Sequence, residues 1–114
     1  MNLNNFTGCL LGGAVGDALG APAEFLFLSE ILARSGPGGI TDFVEFHDGT
    51  GRITDDTQMT LFTAEGLLKA GEKLKTGNPE EYLPFIYEAY LRWLYTQSGF
   101  LPQNLKQNTD LKGG

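Results

Sequence analysis

Apolar residues Phe6, Leu10, Leu11, Val15 and Leu19 recur at helical spacing between residues 6 and 20. That spacing predicts a first, buried helix despite its glycines. Gly8, Gly12, Gly16 and Gly20 recur every fourth residue, so they share one stripe, and each costs about 1 kcal/mol relative to alanine in a helix interior. A compensating close approach is expected, either to another helix or to a site beside Asp17. After the turn at Ala21 and Pro22, the apolar run Phe25, Leu26, Phe27 and Leu28 predicts a short helix within residues 21 to 31. Residues 35 to 41 and 48 to 51 are glycine-rich loops, with a brief extended piece over Phe43, Val44 and Phe46 between them.

A second long helix is expected over residues 54 to 73, opened by Thr54, with Asp55 and Asp56 in its first turn. Its predicted core face is Met59, Phe62, Leu67 and Leu68. A third is expected over residues 79 to 96, with Asn78 as N-cap, Pro79 at the first helical position and Glu81 closing the cap. Its stripe is Tyr82, Phe85 or Ile86, Ala89 or Tyr90, and Trp93 or Leu94. Residues 98 to 114 carry no helical stripe and read as a loop or frayed tail. The resulting division is a helical portion over residues 1 to 97 and a tail over 98 to 114.

Composition narrows the function classes. The chain has 114 residues, enough for one modest core, so a substrate cleft is expected to be shallow or shared. Its net charge is -6 and no segment concentrates Lys or Arg, which argues against nucleic acid as a partner. One cysteine, Cys9, forms no internal disulfide and is expected to be a small buried hydrophobe. The apolar N-terminus lacks a basic region and carries Asp17, unlike a secretory signal, and no stretch is long enough to span a bilayer. A cytoplasmic location without membrane attachment is the default expectation.

Four acidic positions stand out as chemistry. Asp55 and Asp56, with the Thr54 hydroxyl, place oxygen donors at the mouth of a helix, the ligand type that hard cations such as magnesium prefer. The same residues also suit a plain helix N-terminus, where Thr caps and Asp complements the dipole. Glu24, just after a turn in an apolar setting, suits proton transfer if its carboxyl pKa is raised, or is an exposed acid at a helix end. Asp17, inside an apolar helix, needs a partner such as backbone N–H groups or an arginine. His47, the only histidine, lies in a loop and reads as solvated.

Two blocks together, Gly16-Asp17-Ala18-Leu19-Gly20 with Glu24, and Thr54-Asp55-Asp56-Thr57-Gln58-Met59, resemble the N-terminal layout of the ADP-ribosylglycohydrolase family. The resemblance runs from about Phe6 to Gln97. It implies an all-α fold, part of an orthogonal helical bundle, holding two Mg2+ ions, with Mn2+ as an alternative. It also implies hydrolysis of the glycosidic bond in an ADP-ribosylated protein or a small ADP-ribosyl conjugate. By motif, Thr54, Asp55 and Asp56 match the first metal-ligand block, and Glu24 and Asp56 are the residues expected to carry catalysis. Family members are more than twice this length and carry a second Asp-x-Asp block near their C-terminus. Here Asp110 stands alone. The chain is therefore expected to be inactive by itself, with a missing C-terminal half or a second copy as partner. The alternative is a non-catalytic relative: a crystallin-like structural protein, or a binder of metal or ADP-ribose.

Overall fold

The structure is a computed structural model that describes residues 2–46, 49–75 and 77–100, with no statement about the Phe46 side chain. His47, Asp48, Thr76, Asp110 and the rest of residues 101–114 lie outside the described residues. The protein is all-α, as expected from its sequence. Among the described residues four α-helices carry it: α1 (Leu3–Gly20), α2 (Leu28–Ser35), α3 (Asp55–Lys73) and α4 (Leu83–Ser98). The chain divides into two compact units, Met1–Gln58 and Met59–Gly114.

In the first unit, Asn2 caps α1 by accepting the Asn5 N–H at 3.1 Å. The helix passes into a 3₁₀ turn at Ala21–Ala23, where Pro22 has no N–H to extend the α-helical ladder. The short helix comes later than the sequence suggested. Its start is fixed by Glu30, whose carboxylate accepts the Phe27 N–H at 2.8 Å, a one-way side-chain cap that an apolar run does not advertise. Gly36, at φ 80°, ends it by donating its N–H to Leu32. The bend between α1 with its 3₁₀ turn and α2 is 101°. The brief extended piece pairs with part of the second expected loop: β1 (Glu45–Phe46) and β2 (Gly49–Thr50) form an antiparallel hairpin with Glu45 opposite Thr50.

Close packing of α1 through its glycines is not what the structure shows. A Cβ added at Gly8, Gly12, Gly16 or Gly20 would meet nothing within 4 Å. Phe6, Leu11 and Val15 are exposed, and Ala18 is the buried residue of the helix. Cys9 is exposed as well, contrary to the expectation of burial. The 3.6-residue period identified the helix correctly, but α1 is apolar around most of its circumference, so the period could not say which face is covered.

In the second unit the close approach occurs where no stripe announced it. Gly66 of α3 lies against the α4 backbone, and a Cβ there would sit 2.9 Å from Ile86 Cα and 2.9 Å from the Phe85 carbonyl oxygen. Ala70 and Ala89 are fully buried beside this approach. Leu67 and Leu68, expected in the core, are exposed, because the buried stripe of α3 runs through the small residues instead. The stripe predicted for the third helix holds better: Phe85, Ile86, Tyr90 and Trp93 are half-buried and Ala89 is buried. Polar contacts flank the apolar approach. The Thr63 hydroxyl lies 2.7 Å from the Tyr90 hydroxyl, and Glu65 pairs with Arg92 at 2.6 Å and with Lys69 at 2.9 Å.

The expected start of the third helix also shifts. Asn78 does cap, accepting the Glu80 N–H at 3.2 Å, but it caps a 3₁₀ turn, Pro79–Tyr82, and α4 begins at Leu83. Pro84 lies in the first turn of α4, where its missing N–H costs nothing. Gly99, in the left-handed region at φ 67°, ends α4 by donating to the Tyr95 carbonyl at 2.8 Å. Gly66→Ala is expected to destabilise the chain by about 1–3 kcal/mol, because backbone and not a mobile side chain must yield. Chemical denaturation of the two purified proteins measures this directly.

Candidate functional site

The first turn of α3 is held by a residue of α1. Thr54 stands just before the helix, and its carbonyl accepts the first helical hydrogen bond, from Gln58 N at 3.3 Å. Its hydroxyl accepts the Asp56 N–H at 3.2 Å, an ordinary N-cap contact. Asp17 completes the cap from outside. Its carboxylate accepts the Thr54 N–H at 2.8 Å, the Thr54 hydroxyl at 2.7 Å, the Thr57 N–H at 3.2 Å, and the Thr57 hydroxyl. In a local capping box an acidic side chain at the third helical position reaches back to the N-cap N–H. Here that position is Thr57, and the carboxylate comes from α1.

The chemistry of Asp17 follows from those four donors. Partial burial raises its pKa, but the hydrogen bonds from Thr57 and Thr54 outweigh burial and hold the carboxyl below its ordinary value. The expected backbone partners are present, and two hydroxyls stand where an arginine was the other possibility. Thr57 is the residue whose importance the sequence reading missed. It is buried, and its signal was the spacing Thr54-x-x-Thr57, N-cap to third helical position.

The expected ligands are only partly assembled. Asp55 and Asp56 occupy the first turn of α3 with exposed side chains. The Thr54 hydroxyl donates its proton to Asp17 and accepts from Asp56 N, leaving one lone pair. Glu24 follows the 3₁₀ turn, exposed, and its backbone N–H reaches Ala21 O at 3.4 Å. No group of three or more His, Cys, Asp or Glu among the described residues is placed to hold a metal ion. The convergence expected of Glu24, Asp55 and Asp56 is therefore absent. The donor chemistry nevertheless fits a hard cation: Thr54, Asp55 and Asp56 offer oxygen alone, enough for about half of an octahedral shell.

A model of the ADP-ribosylglycohydrolase family matches residues 2–112. The chain belongs to the ADP-ribosylglycohydrolase family. It is also similar to an uncharacterized protein of Archaeoglobus fulgidus, 42% identical over 67 residues, which cover 56% of this chain and 21% of that protein. The chain thus spans about a fifth of the length of this curated relative. No solved structure matches. The family is all-α, as this chain is, uses metal ions and acts on ADP-ribosylated substrates.

Removing the Asp17 carboxylate leaves the buried Thr57 N–H and hydroxyl without acceptors. Asp17→Ala is expected to cost about 2–3 kcal/mol. The pH dependence has a defined sign: a carboxyl held below its ordinary value stabilises the fold above about pH 4 and loses that contribution as pH falls through the lowered value. The stability difference between the native chain and Asp17→Asn is expected to be full at pH 6 and to shrink toward pH 3. Urea titrations across that range measure it. A difference that grows on acidification would contradict the assignment.

Proposed function

We propose that this ADP-ribosylglycohydrolase family chain supplies one side of a divalent-cation site, and that the complete site hydrolyses the glycosidic bond of ADP-ribosyl substrates. Mg2+ is the proposed ion, with Mn2+ as the alternative, and the complete site is proposed to hold two ions. The supporting observation is the Asp17 cap. It fixes Thr54 and the first turn of α3 through four hydrogen bonds, while leaving Asp55 and Asp56 exposed to solvent.

In this reading Asp17 orients and does not ligate, because its oxygens are already engaged. Thr54 contributes the remaining lone pair of its hydroxyl, and Asp55 and Asp56 contribute carboxylate oxygens. A bound divalent ion supplies Lewis-acid polarisation and a more acidic water. Asp56 and Glu24 are assigned the proton transfers, Glu24 acting from the exposed end of the 3₁₀ turn once substrate and neighbouring groups desolvate it. The positive end of the α3 dipole disfavours a cation, and the paired acids of the first turn offset it.

Half a coordination shell predicts weak binding, since magnesium gives up its water reluctantly. The isolated chain is expected to bind Mn2+ only at roughly millimolar concentration, as measured by water-proton relaxation, and to lose that binding in the Asp55→Ala, Asp56→Ala double variant. It is also expected to show no appreciable turnover of ADP-ribosylated protein or small ADP-ribosyl conjugates with Mg2+. Metal binding that survives the double substitution would remove Thr54, Asp55 and Asp56 as the ligand block. Turnover that disappears in the double variant would show that the chain alone completes a site.

A further inference from the structure

The donors that meet the Asp17 carboxylate are divided unequally between its oxygens. Oδ1 accepts the Thr54 hydroxyl at 2.7 Å, whereas Oδ2 accepts the Thr54 N–H at 2.8 Å, the Thr57 N–H at 3.2 Å and the Thr57 hydroxyl. The last torsion of an aspartate side chain is broad, so rotamer preference alone sets the plane of a carboxylate only loosely. Donors on both oxygens fix that plane, and with it the direction in which Oδ1 meets the Thr54 hydroxyl. Of the three donors on Oδ2, two belong to Thr57.

Thr57 also directs its hydroxyl away from its own helix. A helical threonine commonly turns Oγ1 back onto a carbonyl of the preceding turn, and Thr63 of α3 does so, donating to the Met59 carbonyl at 2.8 Å. Thr57, earlier on the same helix, donates instead to α1, 40 positions back along the chain. Burial reinforces that choice: at 7% exposure, a Thr57 hydroxyl turned off Asp17 would have little water to bond in exchange. Asp55 and Asp56, on the same turn, have exposed side chains. The bond to Asp17 therefore leaves Thr57 outside the set of exposed oxygen donors while tying it to the residue that holds one of them.

We propose that Thr57 is a positioning residue of the cation site: by fixing the Asp17 carboxylate it sets the Thr54 hydroxyl with its proton on Asp17 and its remaining lone pair open to a divalent ion. The inference rests on the reading of Thr54, Asp55 and Asp56 as a ligand block and adds to it a residue that touches no ion. A hydroxyl rotates freely until a strong acceptor takes its proton, and from then on its oxygen presents its lone pairs in set directions. Groups that orient a metal's ligands through hydrogen bonds commonly contribute about 10–100-fold in metal affinity. Asp17 orients Thr54, and Thr57 orients Asp17, one hydrogen bond further from the ion. Its effect is therefore expected at the lower end of that range.

The experiment compares the full chain with Thr57→Val, which keeps the shape and removes the hydroxyl, and with Thr57→Ser, which keeps the hydroxyl. Amide NMR reads two quantities: deuterium exchange of the Thr54 N–H without metal, and broadening of the amide signals of residues 55 and 56 by added Mn2+. The Asp55→Ala, Asp56→Ala double variant sets the baseline for non-specific broadening. In Thr57→Val the Thr54 N–H is expected to exchange about tenfold faster, as follows from losing one hydrogen bond to a charged group. About ten times more Mn2+ is expected to be needed for the same broadening. Thr57→Ser is expected to restore both. Gly66→Ala, which weakens the fold in the other unit, is expected to leave both near native, so a general loss of stability does not reproduce the pattern. Unchanged Thr54 exchange in Thr57→Val overturns the proposal, and so does a Thr57→Ser chain that behaves like Thr57→Val. Mn2+ binding that stays the same or tightens in Thr57→Val overturns it as well, tightening being the sign that a released Asp17 becomes a ligand. If Mn2+ broadens neither signal in the native chain, the ligand block itself fails, while the exchange rates, read without metal, still decide whether Thr57 holds Thr54 in place.

Discussion

Asp17 accepts hydrogen bonds from Thr54 and Thr57, 37 and 40 positions further along the chain, and through them ties the end of α1 to the beginning of α3. A helix start exposes N–H groups that need acceptors. A local side chain meets that need in most helices, and such a cap fixes only the helix it belongs to. Taking the acceptor from another helix makes capping a tertiary contact. The first turn of α3 therefore cannot fray without releasing α1, and the orientation of Asp55 and Asp56 inherits the rigidity of both.

The arrangement also separates two tasks among neighbouring acids. Asp17 has an ordinary carboxylate's charge, but its two oxygens already accept from four donors. Asp55 and Asp56 stand on the same turn with exposed carboxylates. Had Asp17 been free, three acids near one helix terminus would compete for one cation. Committed as it is, it lends negative charge to the neighbourhood and leaves coordination to the other two.

Much of this was legible beforehand, for reasons that can be named. The helices α1, α3 and α4 follow from apolar spacing, and Asp17 announced itself as a charge in an apolar helix that had to find donors. The Thr-Asp-Asp block and Glu24 were visible as residues. What the sequence did not carry was which faces meet. The start of α2 was hidden because its cap is a single side-chain contact, Glu30 accepting the Phe27 N–H, and the start of α4 because Pro79 opens a 3₁₀ turn before Leu83 begins the α-helix. Convergence of Glu24 with Asp55 and Asp56 depends on tertiary placement, which motif spacing does not encode.

The glycines show the same limit most clearly. Four of them on one stripe of α1 suggested a tight crossing, yet they lie open, whereas the single Gly66 meets the α4 backbone at a distance that excludes any Cβ. A glycine in a helix lowers stability by about 1 kcal/mol relative to alanine wherever it stands, so sequence records the cost and is silent on the compensation. At Gly66 the compensation is in hand: the approach lets Ala70 and Ala89 bury completely and brings Thr63 to Tyr90 and Glu65 to Arg92. On α1 no such return is visible among the described residues, while apolar side chains on the same helix remain in water.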